Sequence, residues 1–327
     1  MALSRRHLLQ AASGAAALPL LGFQAQAQSA YPNKPIRLFV GFAPGGSTDT
    51  IGRIIGQVLG ERLGQSFVIE NRPGAGTNIA TEAAIRATPD GYTLLMVGPS
   101  VTINATLYKE LNFNFLRDAT PISSIASQAQ VMLANPKLPF KNVGECIAYA
   151  KANPDKLSHP SAGNGTLSHV VMEDFKARAG IRILHVPYQG SPPAMNDLVA
   201  GNVQVAMDTV TVTKPLIDSG KLRLIAAGTL QRLPAFPDTP TIAEQGFPGL
   251  EAVAWLGVLF PAQTADDRVK RLSDAVVKVV NDPAMQERFK AVGTLPRTMP
   301  TAEFAAYLKS EDQRWSKVIA SSGIRTD

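Results

Sequence analysis

The stretch "FAPGGSTD" at residues 42–49 places two glycines, two hydroxyl side chains and one carboxylate close together. It follows the apolar run "IRLFVG" and precedes a segment with helical apolar spacing, so we predict a loop between a strand and a helix. Free backbone N–H groups and the positive end of the helix dipole make such a loop a ready site for an anion. These residue types suit a phosphate cradle, an exposed nucleophile or a carboxylate clasp.

Known motifs disfavour the first two kinds of site. The loop has neither GxGxxG nor GxxxxGK[ST], and it contains no lysine, which argues against a dinucleotide or P-loop site. It also lacks the GxSxG elbow that would present Ser47 as a nucleophile. A purely structural interpretation stays open, in which the loop is a tight turn with Ser47 or Thr48 as the helix N-cap. Asp49 is interpreted as a first-turn carboxylate that favours the helix dipole and caps the helix, or alternatively as a group that orders water or meets a ligand ammonium group.

Three other segments place small and hydroxyl residues where a strand gives way to a helix. They read "PSAGNGTLSH" at 160–169, "QGSPP" at 189–193 and "GPSV" at 98–101. In an open α/β sheet, ligands bind beyond the carboxyl ends of the strands, where these loops are expected. We therefore predict that loops from both halves of the chain surround a small anion.

The other reactive side chains show no catalytic or metal-binding pattern. His159, His169 and His185 lack metal-ligand spacing with other His, Cys or acidic residues. No Ser-His-Asp set can be assigned, and His169 is placed near the start of a helix, where it faces the ligand, packs in the interior or faces solvent. Cys146, the single cysteine, excludes an intramolecular disulfide and is predicted to be buried. We expect no catalytic residue, no metal and no cofactor.

The ends and the composition indicate an exported globular protein. The 327 residues, 45% of them hydrophobic, suffice for a large core and about two domains. Residues 1–27 are typical of an export signal, with Arg5 and Arg6 in a twin-arginine-like "SRRHLL" and Ala25-Gln26-Ala27 as a cleavage site. Removing that leader takes the 32 basic residues to 30, against 26 acidic ones, a net charge of +4. This mild positive charge favours anionic solutes, while the lack of a basic stripe argues against nucleic acid.

From Pro35 onward, β-rich apolar runs alternate with helical patterns, which predicts an α/β fold with a largely parallel sheet. Residues 50–63 carry apolar side chains at three-to-four spacing and are predicted to form a helix packed on the sheet. The predicted strands are "IRLFVGF", "SFVIEN", "YTLLMVG", "QVMLANP", "RILHVPY", "VQVAMDTV", "LRLIAAG" and "LGVLFPA". The other predicted helices are "TNIATEAAIRAT", "GECIAYAKANP", "SHVVMEDFKARAG", "SPPAMNDLVAGN", "ADDRVKRLSDAVVKVVND", "PAMQERFKAVG" and "TAEFAAYLKSEDQRWSKVIASSG".

Taken together, the segments resemble the periplasmic solute receptors of the tripartite tricarboxylate transporter family, also called Bug-type receptors. The resemblance spans residues 31–327. Two departures are Thr77, at a position where the family usually has glycine, and "PAQTADDRV"; both lie outside the predicted clasp. The resemblance is carried by "YPNKPIRLFVGFAPGGSTD", "VIENRPGAGTNIATE", "TPDGYTLLMVGPS", "KLSHPSAGNGTLSH", "VPYQGSPPAMNDLVAGNVQVAMD", "LPAFPDTPTIAEQGFPGL" and the WxGxxxP pattern at 255–261.

The resemblance implies an α/β, two-lobed periplasmic binding protein of the Venus-flytrap, type II-like kind, with two crossing strands. Residues 1–27 would be the export signal and 28–127 the first part of lobe 1. Residues 128–250 would form lobe 2, and 251–327 a crossing strand with C-terminal helices that return to lobe 1.

The resemblance also implies a periplasmic receptor, not an enzyme, that closes on a small organic carboxylate and delivers it to membrane transporter subunits. We expect a monomer. Carried over by position, the ligand-binding residues would be Phe42, Ala43, Gly46, Ser47, Asp49 and Ser100 from lobe 1, and Ser161, Ala162, Gly165, Thr166, Gln189 and Asp208 from lobe 2.

Two other functions stay open at this point. The loaded receptor would instead be recognised by the sensor kinase of a two-component system, or the chain would be a hydrolase or isomerase using Ser47, Asp49 or His169. The ligand is not named by the sequence: dicarboxylates, tricarboxylates, acidic amino acids and aromatic acids all share the carboxylate that the clasp would recognise.

Overall fold

The computed structural model describes residues 31–325, so the predicted export signal lies outside the described residues. The strands are β1 (Ile36–Val40), β2 (Phe67–Asn71), β3 (Thr93–Val97), β4 (Ala119–Ala134), β5 (Ser158–Ser161), β6 (Leu184–Pro187), β7 (Val205–Thr209), β8 (Arg223–Ala227), β9 (Val253–Pro261) and β10 (Leu295–Pro296).

The helices alternate with these strands along most of the chain. In chain order they are α1 (Ser47–Leu63), α2 (Asn78–Ile85), α3 (Ser100–Leu107), α4 (Phe115–Asp118), α5 (Val143–Ala152), α6 (Leu167–Ala179), α7 (Ser191–Ala200), α8 (Val210–Asp218), α9 (Asp266–Val280), α10 (Pro283–Ala291) and α11 (Thr301–Ser322).

Lobe 1 is built on β1, which pairs in parallel with β2 on one side and β3 on the other. Strand β9 pairs antiparallel with β3 and extends this sheet. Helix α1 packs on it through Ile51, Ile55 and Leu59, which are buried at the spacing predicted from the sequence. The first sheet therefore places the β1–α1 and β3–α3 loops at one edge.

Strand β4 passes from lobe 1 into lobe 2. Its residues from Ala119 to Ala129 pair antiparallel with β9, and its last residues, from Gln130 to Ala134, pair antiparallel with β7. The same last residues also pair with β8. Because one continuous strand changes partners near Gln130, it is the first of two connections between the lobes.

The second connection lies where the chain returns to β9. Gly228 N donates to Gln130 O at 2.9 Å, and Gln130 N donates to Ala252 O, also at 2.9 Å. Strands β5 and β6 form a separate parallel pair in lobe 2. The two crossing strands implied by the resemblance are thus present side by side.

Each lobe has apolar side chains on both sides of its sheet, and helix α11 joins them. Phe304 and Leu308, near the start of α11, belong to a core cluster of lobe 1. Trp315 and Ile319, near its end, pack in the main cluster of lobe 2. The C-terminal helix therefore contacts both lobes rather than lobe 1 alone.

The prediction of a largely parallel sheet was wrong. Strand β4 runs antiparallel to β7, β8, β9 and β10, and β9 runs antiparallel to β3. Among the strands that the structure describes, parallel pairing is confined to β1 with β2 and β3 and to β5 with β6, which helical crossovers connect, and β4 and β9 run in the opposite direction to their neighbours. None of the helices between residues 31 and 325 has the length and apolar character that a membrane span requires.

Candidate ligand-binding site

A cavity of about 60 Å³ lies between the lobes. Lobe 1 contributes the β1–α1 and β3–α3 loops, lobe 2 contributes the β5–α6, β6–α7 and β7–α8 connections, and β4 and β9 form the floor. The lining residues are Phe42, Gly46, Ser47, Thr48, Gly98, Pro99, Ser100, Gln128, Gln130, Ala162, Thr166, Leu167, Ser168, Ser191, Asp208, Thr209, Ala254 and Leu256.

Five helices begin at this cavity, and no side chain caps any of them. In α1 the N-cap is Gly46, so neither Ser47 nor Thr48 plays the capping role left open by the sequence. The first helical hydrogen bond of α1 is donated by Thr50 N to Gly46 O at 2.9 Å, which leaves the earlier N–H groups for another acceptor. In α6 the first such bond runs from Val170 N to Thr166 O.

Helices with an Asn or Asp cap begin elsewhere. Asn114, Asn142 and Asp282 cap α4, α5 and α10 by accepting a first-turn N–H. Helices α2, α9 and α11 also begin without a side-chain cap, but away from the cavity. Because several uncapped helix starts converge on this one cavity, it is a region rich in hydrogen-bond donors and positive potential.

Seven of the twelve residues predicted to bind the ligand line the cavity. They are Phe42, Gly46, Ser47 and Ser100 from lobe 1 and Ala162, Thr166 and Asp208 from lobe 2. The structure therefore brings these seven residues, which the resemblance implied as ligand contacts, around one cavity.

The other five predicted residues lie beside the cavity and hold its walls. The N–H of Ala43 donates to Gln189 O at 2.9 Å, which joins the two lobes. Ser161 Oγ lies 2.7 Å from His185 Nε2, and Gly165 N donates to His169 Nδ1 at 3.2 Å. These polar groups therefore form hydrogen bonds to other parts of the protein.

Asp49, the fifth, is almost fully buried and faces away from the cavity. Its carboxylate accepts hydrogen bonds from Gly45 N, Arg53 and Asn71, all at 2.9 Å. Burial raises the pKa of Asp49, but these bonds outweigh burial and lower the pKa below its ordinary value. Asp49 therefore fixes the loop "APGGST" against α1 and β2.

Asp208 lies at the end of β7. Among the described residues that line the cavity, it is the one with a titratable side chain. Its Oδ1 accepts hydrogen bonds from Ser191 Oγ at 2.8 Å and from Thr209 N at 2.6 Å. Burial raises its pKa to about 6 even though these bonds favour the ionised form. The side chain is 3% exposed.

Two glutamines on β4 were missed in the sequence. Gln128 donates Nε2 to Thr211 Oγ1 at 3.2 Å and to Thr294 Oγ1 at 3.1 Å. Gln130, two residues later, lies on the same face of the strand. The sequence feature that could have indicated them is a pair of amide side chains at alternate positions inside the mostly apolar run "IASQAQVMLA".

Behind the lobe 2 wall, the three histidines form a stack that the sequence did not predict. The rings of His169 and His185 lie 4.1 Å apart at 17°, and those of His159 and His185 lie 4.8 Å apart at 22°. Burial lowers the pKa of His169 to about 4, and burial with the neighbouring histidines lowers that of His185 to about 2. The stack is neutral at pH 7 and supports the β5–α6 loop through Ser161 and Gly165.

Glu173 on α6 completes this cluster. It accepts a hydrogen bond from His159 at 3.0 Å and from Lys176 at 2.6 Å. Burial raises its pKa, but the two bonds outweigh burial and lower the pKa to about 2. His169, Glu173 and His185 each offer one ligand atom within 4.8 Å, so a metal-type group exists that spacing did not indicate. The Lys176 ammonium group, 2.6 Å from Glu173 Oε1, places a positive charge beside this group, which disfavours a cation there.

The two crossing strands and the cavity between the lobes define the class of this protein, which is that of the periplasmic solute-binding proteins. The model of the family described as "Tripartite tricarboxylate transporter family receptor" matches residues 51–324. The chain belongs to this family, as the sequence segments predicted.

Solved structures give the same result at the level of the whole fold. The chain is similar to the periplasmic binding protein BugD, with 32% identity, a TM-score of 0.87, and 90% of this chain and 99% of that chain covered. The same four values hold for Rpa4515 of R. palustris, whose structure contains adipate. MatC of Rhodopseudomonas palustris, with bound malate, is 29% identical with a TM-score of 0.84, covering 88% of this chain and 100% of that chain.

Proposed function

We propose that this protein captures a small organic carboxylate by closure of its two lobes and delivers it to a tripartite tricarboxylate-type membrane transporter. The observation that carries the proposal is the convergence of five uncapped helix starts on one buried cavity. The carboxylates in the structures of Rpa4515 and MatC support the same class of ligand. Family members are periplasmic binding proteins rather than enzymes.

The seven predicted residues that line the cavity are assigned as ligand contacts. Ala43, Asp49, Ser161, Gly165 and Gln189 are assigned to positioning the loops that carry those contacts, because they lie outside the cavity lining and bond within the protein. We assign lobe 1 to 28–127, lobe 2 to 128–250 and the return segment to 251–327. The change of partners of β4 near Gln130 supports the first of these boundaries.

Closure is the physical basis of binding. Backbone N–H groups at helix starts are fixed in direction and do not titrate, and they meet the ligand together only when the lobes are closed. Hydrogen bonds to a charged carboxylate contribute roughly 1.5 to 3 kcal/mol each. Four or five of them support about micromolar binding once the ordering of ligand and lobes is subtracted.

The remaining assignments complete the proposal. Residues 1–27 direct the chain to the periplasm and are removed, and the mature receptor acts as a monomer. The transporter subunits are its partner. A cell that lacks the receptor gene would lose uptake of the ligand; normal uptake together with a lost transcriptional response would instead assign the receptor to a sensor kinase.

The binding experiment uses purified protein refolded from denaturant to remove any ligand carried through purification. Thermal unfolding is followed with a panel of small carboxylates and with the matching neutral amides. A carboxylate should raise the melting temperature in a concentration-dependent way while its amide has no effect. If no acid in the panel alters the unfolding of a protein shown to be folded, the carboxylate assignment is wrong.

A further inference from the structure

The cavity is not uniformly suited to negative charge, because one part of its wall presents acceptors. Asp208 Oδ1 accepts the hydrogen bonds from Ser191 and from Thr209 N and Oγ1. Its other oxygen, Oδ2, accepts none from the residues between 31 and 325 for which side chains are described, and Asp208 lines the cavity. A carboxylate oxygen therefore faces the space where the ligand would lie.

No cation in the cavity compensates this carboxylate. The lining residues within the described chain include no Lys, Arg or His. Asp208 is held by hydroxyl and amide donors only, all on Oδ1. A buried carboxylate without a cationic partner is unfavourable, and a ligand that brings a positive charge or a donor removes part of that penalty.

Gln128 presents a second acceptor in the same cavity. Its Nε2 donates to the hydroxyl groups of Thr211 and Thr294, so its Oε1 is the part of the amide left for the cavity. The side chain is buried and lines the cavity from β4. Asp208 and Gln128 thus offer two acceptor oxygens in a site whose other polar lining consists largely of helix starts.

We propose that the receptor selects a small carboxylate whose second polar group is a hydrogen-bond donor, an ammonium group in preference to a hydroxyl, and disfavours a second carboxylate. The helix starts hold the carboxylate, and Asp208 with Gln128 receives the donor. This inference rests on the proposed function of the cavity and names the ligand class within it. A second carboxylate would face the Asp208 carboxylate at close range with no cation between them.

The test compares ligands of equal length that differ only at the second group. Calorimetric titrations at pH 7 use amino acid, hydroxy acid and diacid at each length: glycine, glycolate and oxalate; 3-aminopropanoate, 3-hydroxypropanoate and malonate; 4-aminobutanoate, 4-hydroxybutanoate and succinate. At the length that fits, the amino acid should bind most tightly and the diacid about tenfold or more weaker.

The Asp208→Asn variant tests the cause, because it keeps the shape and the acceptor for Ser191 and removes the charge. Its preference for amino acid over diacid should fall by about tenfold or more. Asp197→Asn removes the same charge from α7 outside the cavity, at a carboxylate bonded to Tyr188 and Asn202, and should keep the wild-type preference. Melting curves show that each variant is folded.

The outcomes distinguish failure of this inference from failure of the proposed function. A diacid that binds as tightly as the amino acid, or an unchanged preference in Asp208→Asn, would overturn this inference and leave the carboxylate receptor standing. If none of the acids binds to a protein shown to be folded, the proposed function itself is wrong.

Discussion

The backbone N–H of Ala43 donates a hydrogen bond to the carbonyl oxygen of Gln189 over 2.9 Å. Ala43 lies in the β1–α1 loop of lobe 1, and Gln189 lies between β6 and α7 in lobe 2. The bond therefore exists only when the lobes are closed, and it places these two residues in the mechanism of closure.

Gly76 provides a direct way to block that closed arrangement. A Cβ at Gly76 would clash with the carbonyl oxygen of Asn164, which belongs to the β5–α6 loop of the other lobe. We expect Gly76→Ala to weaken ligand binding by about tenfold or more, since closure supplies the contacts of the second lobe. Calorimetric titration measures the loss.

Gly180→Ala is the matched control. Gly180 has φ 61° and ψ 43°, against 59° and 35° for Gly76, so both substitutions carry a similar left-handed strain of about 1 kcal/mol. No atom lies within 4 Å of a Cβ at Gly180. Equal affinities in the two variants would show that the Gly76–Asn164 approach plays no part in binding.

Ser100 tests whether the cavity binds an anion. This buried residue opens α3, where the helix dipole offsets part of the cost of burying an aspartate, and melting curves show whether Ser100→Asp is folded. Its carboxylate would occupy the anion's place and should reduce carboxylate affinity by about a hundredfold. Ser100→Asn has the same size without the charge and should bind within about tenfold of wild type. Calorimetric titration of both variants with the carboxylate measures the two affinities. Similar losses of affinity in both variants would indicate that crowding, rather than charge, weakens binding.

Much of the fold could be predicted because its strands are short apolar runs bounded by turn residues. Helices α3 and α8 could not, since "SVTINATL" and "VTVTKPLID" are rich in β-branched residues and α8 contains Pro215. Seven cavity residues followed from the family resemblance together with the loop pattern. The positions of Gln128 and of the histidine stack could not be predicted, because the crossing of β4 between the lobes and the stacking of the rings bring together residues that are far apart in the chain.

Asp208 should make the ligand-free protein less stable as the pH rises. Its pKa is about 6 in the folded state against an ordinary value of 3.8, so between these values the folded protein holds a proton that the unfolded chain has lost. The free energy of unfolding therefore falls across this window, by roughly 3 kcal/mol at most. Asp208→Asn removes this effect and should gain stability relative to wild type between pH 4 and pH 7.

Urea unfolding at several pH values measures that difference. The groups that donate to the Asp208 carboxylate, Ser191 and Thr209, do not titrate in this range, and burial is the main cause of the raised pKa. Asp197→Asn should behave in the opposite way, because hydrogen bonds from Tyr188 and Asn202 lower the pKa of Asp197. A stability difference between Asp208→Asn and wild type that is the same at every pH would contradict the prediction.

The histidine stack should make the protein sensitive to acid. The folded pKa values of His169 and His185, about 4 and about 2, lie below the ordinary 6.5, so the unfolded chain takes up protons first as the pH falls below 6.5. Stability is therefore lost as the pH falls from 6.5 toward about 4 for His169 and further for His185. His185→Phe keeps an aromatic ring that does not titrate and should make this loss smaller by the order of 2 kcal/mol.

The comparison uses the slope of stability against pH, because loss of the bond from His185 to Ser161 affects all pH values alike. Tyr149→Phe, an aromatic change near the lobe 2 core that leaves the histidines in place, is the control and should keep the wild-type slope. Identical slopes in wild type and His185→Phe would show that His185 is protonated readily in the folded state.

Glu311 is expected to stabilise the contact of α11 with the crossing strand β9. Its Oε2 accepts hydrogen bonds from Trp255 Nε1 at 3.0 Å and Trp315 Nε1 at 3.2 Å, and all three side chains are buried. Glu311→Leu leaves two buried indole N–H groups without an acceptor and should lower the free energy of unfolding by roughly 2 to 4 kcal/mol. Glu311→Gln keeps an oxygen and should lose about 1 kcal/mol.

Both Glu311 variants remove the ion pair with Arg314, so the difference between them isolates the two indole bonds. Glu287→Leu, at an exposed ion pair on α10, should change stability by less than about 0.5 kcal/mol. Urea unfolding followed by tryptophan fluorescence measures all three variants. Equal losses in Glu311→Leu and Glu311→Gln would mean that water replaces the carboxylate. Because Trp255 lies in lobe 1 and Trp315 packs in lobe 2, the larger loss would locate part of the stability of the whole receptor at this one buried side chain.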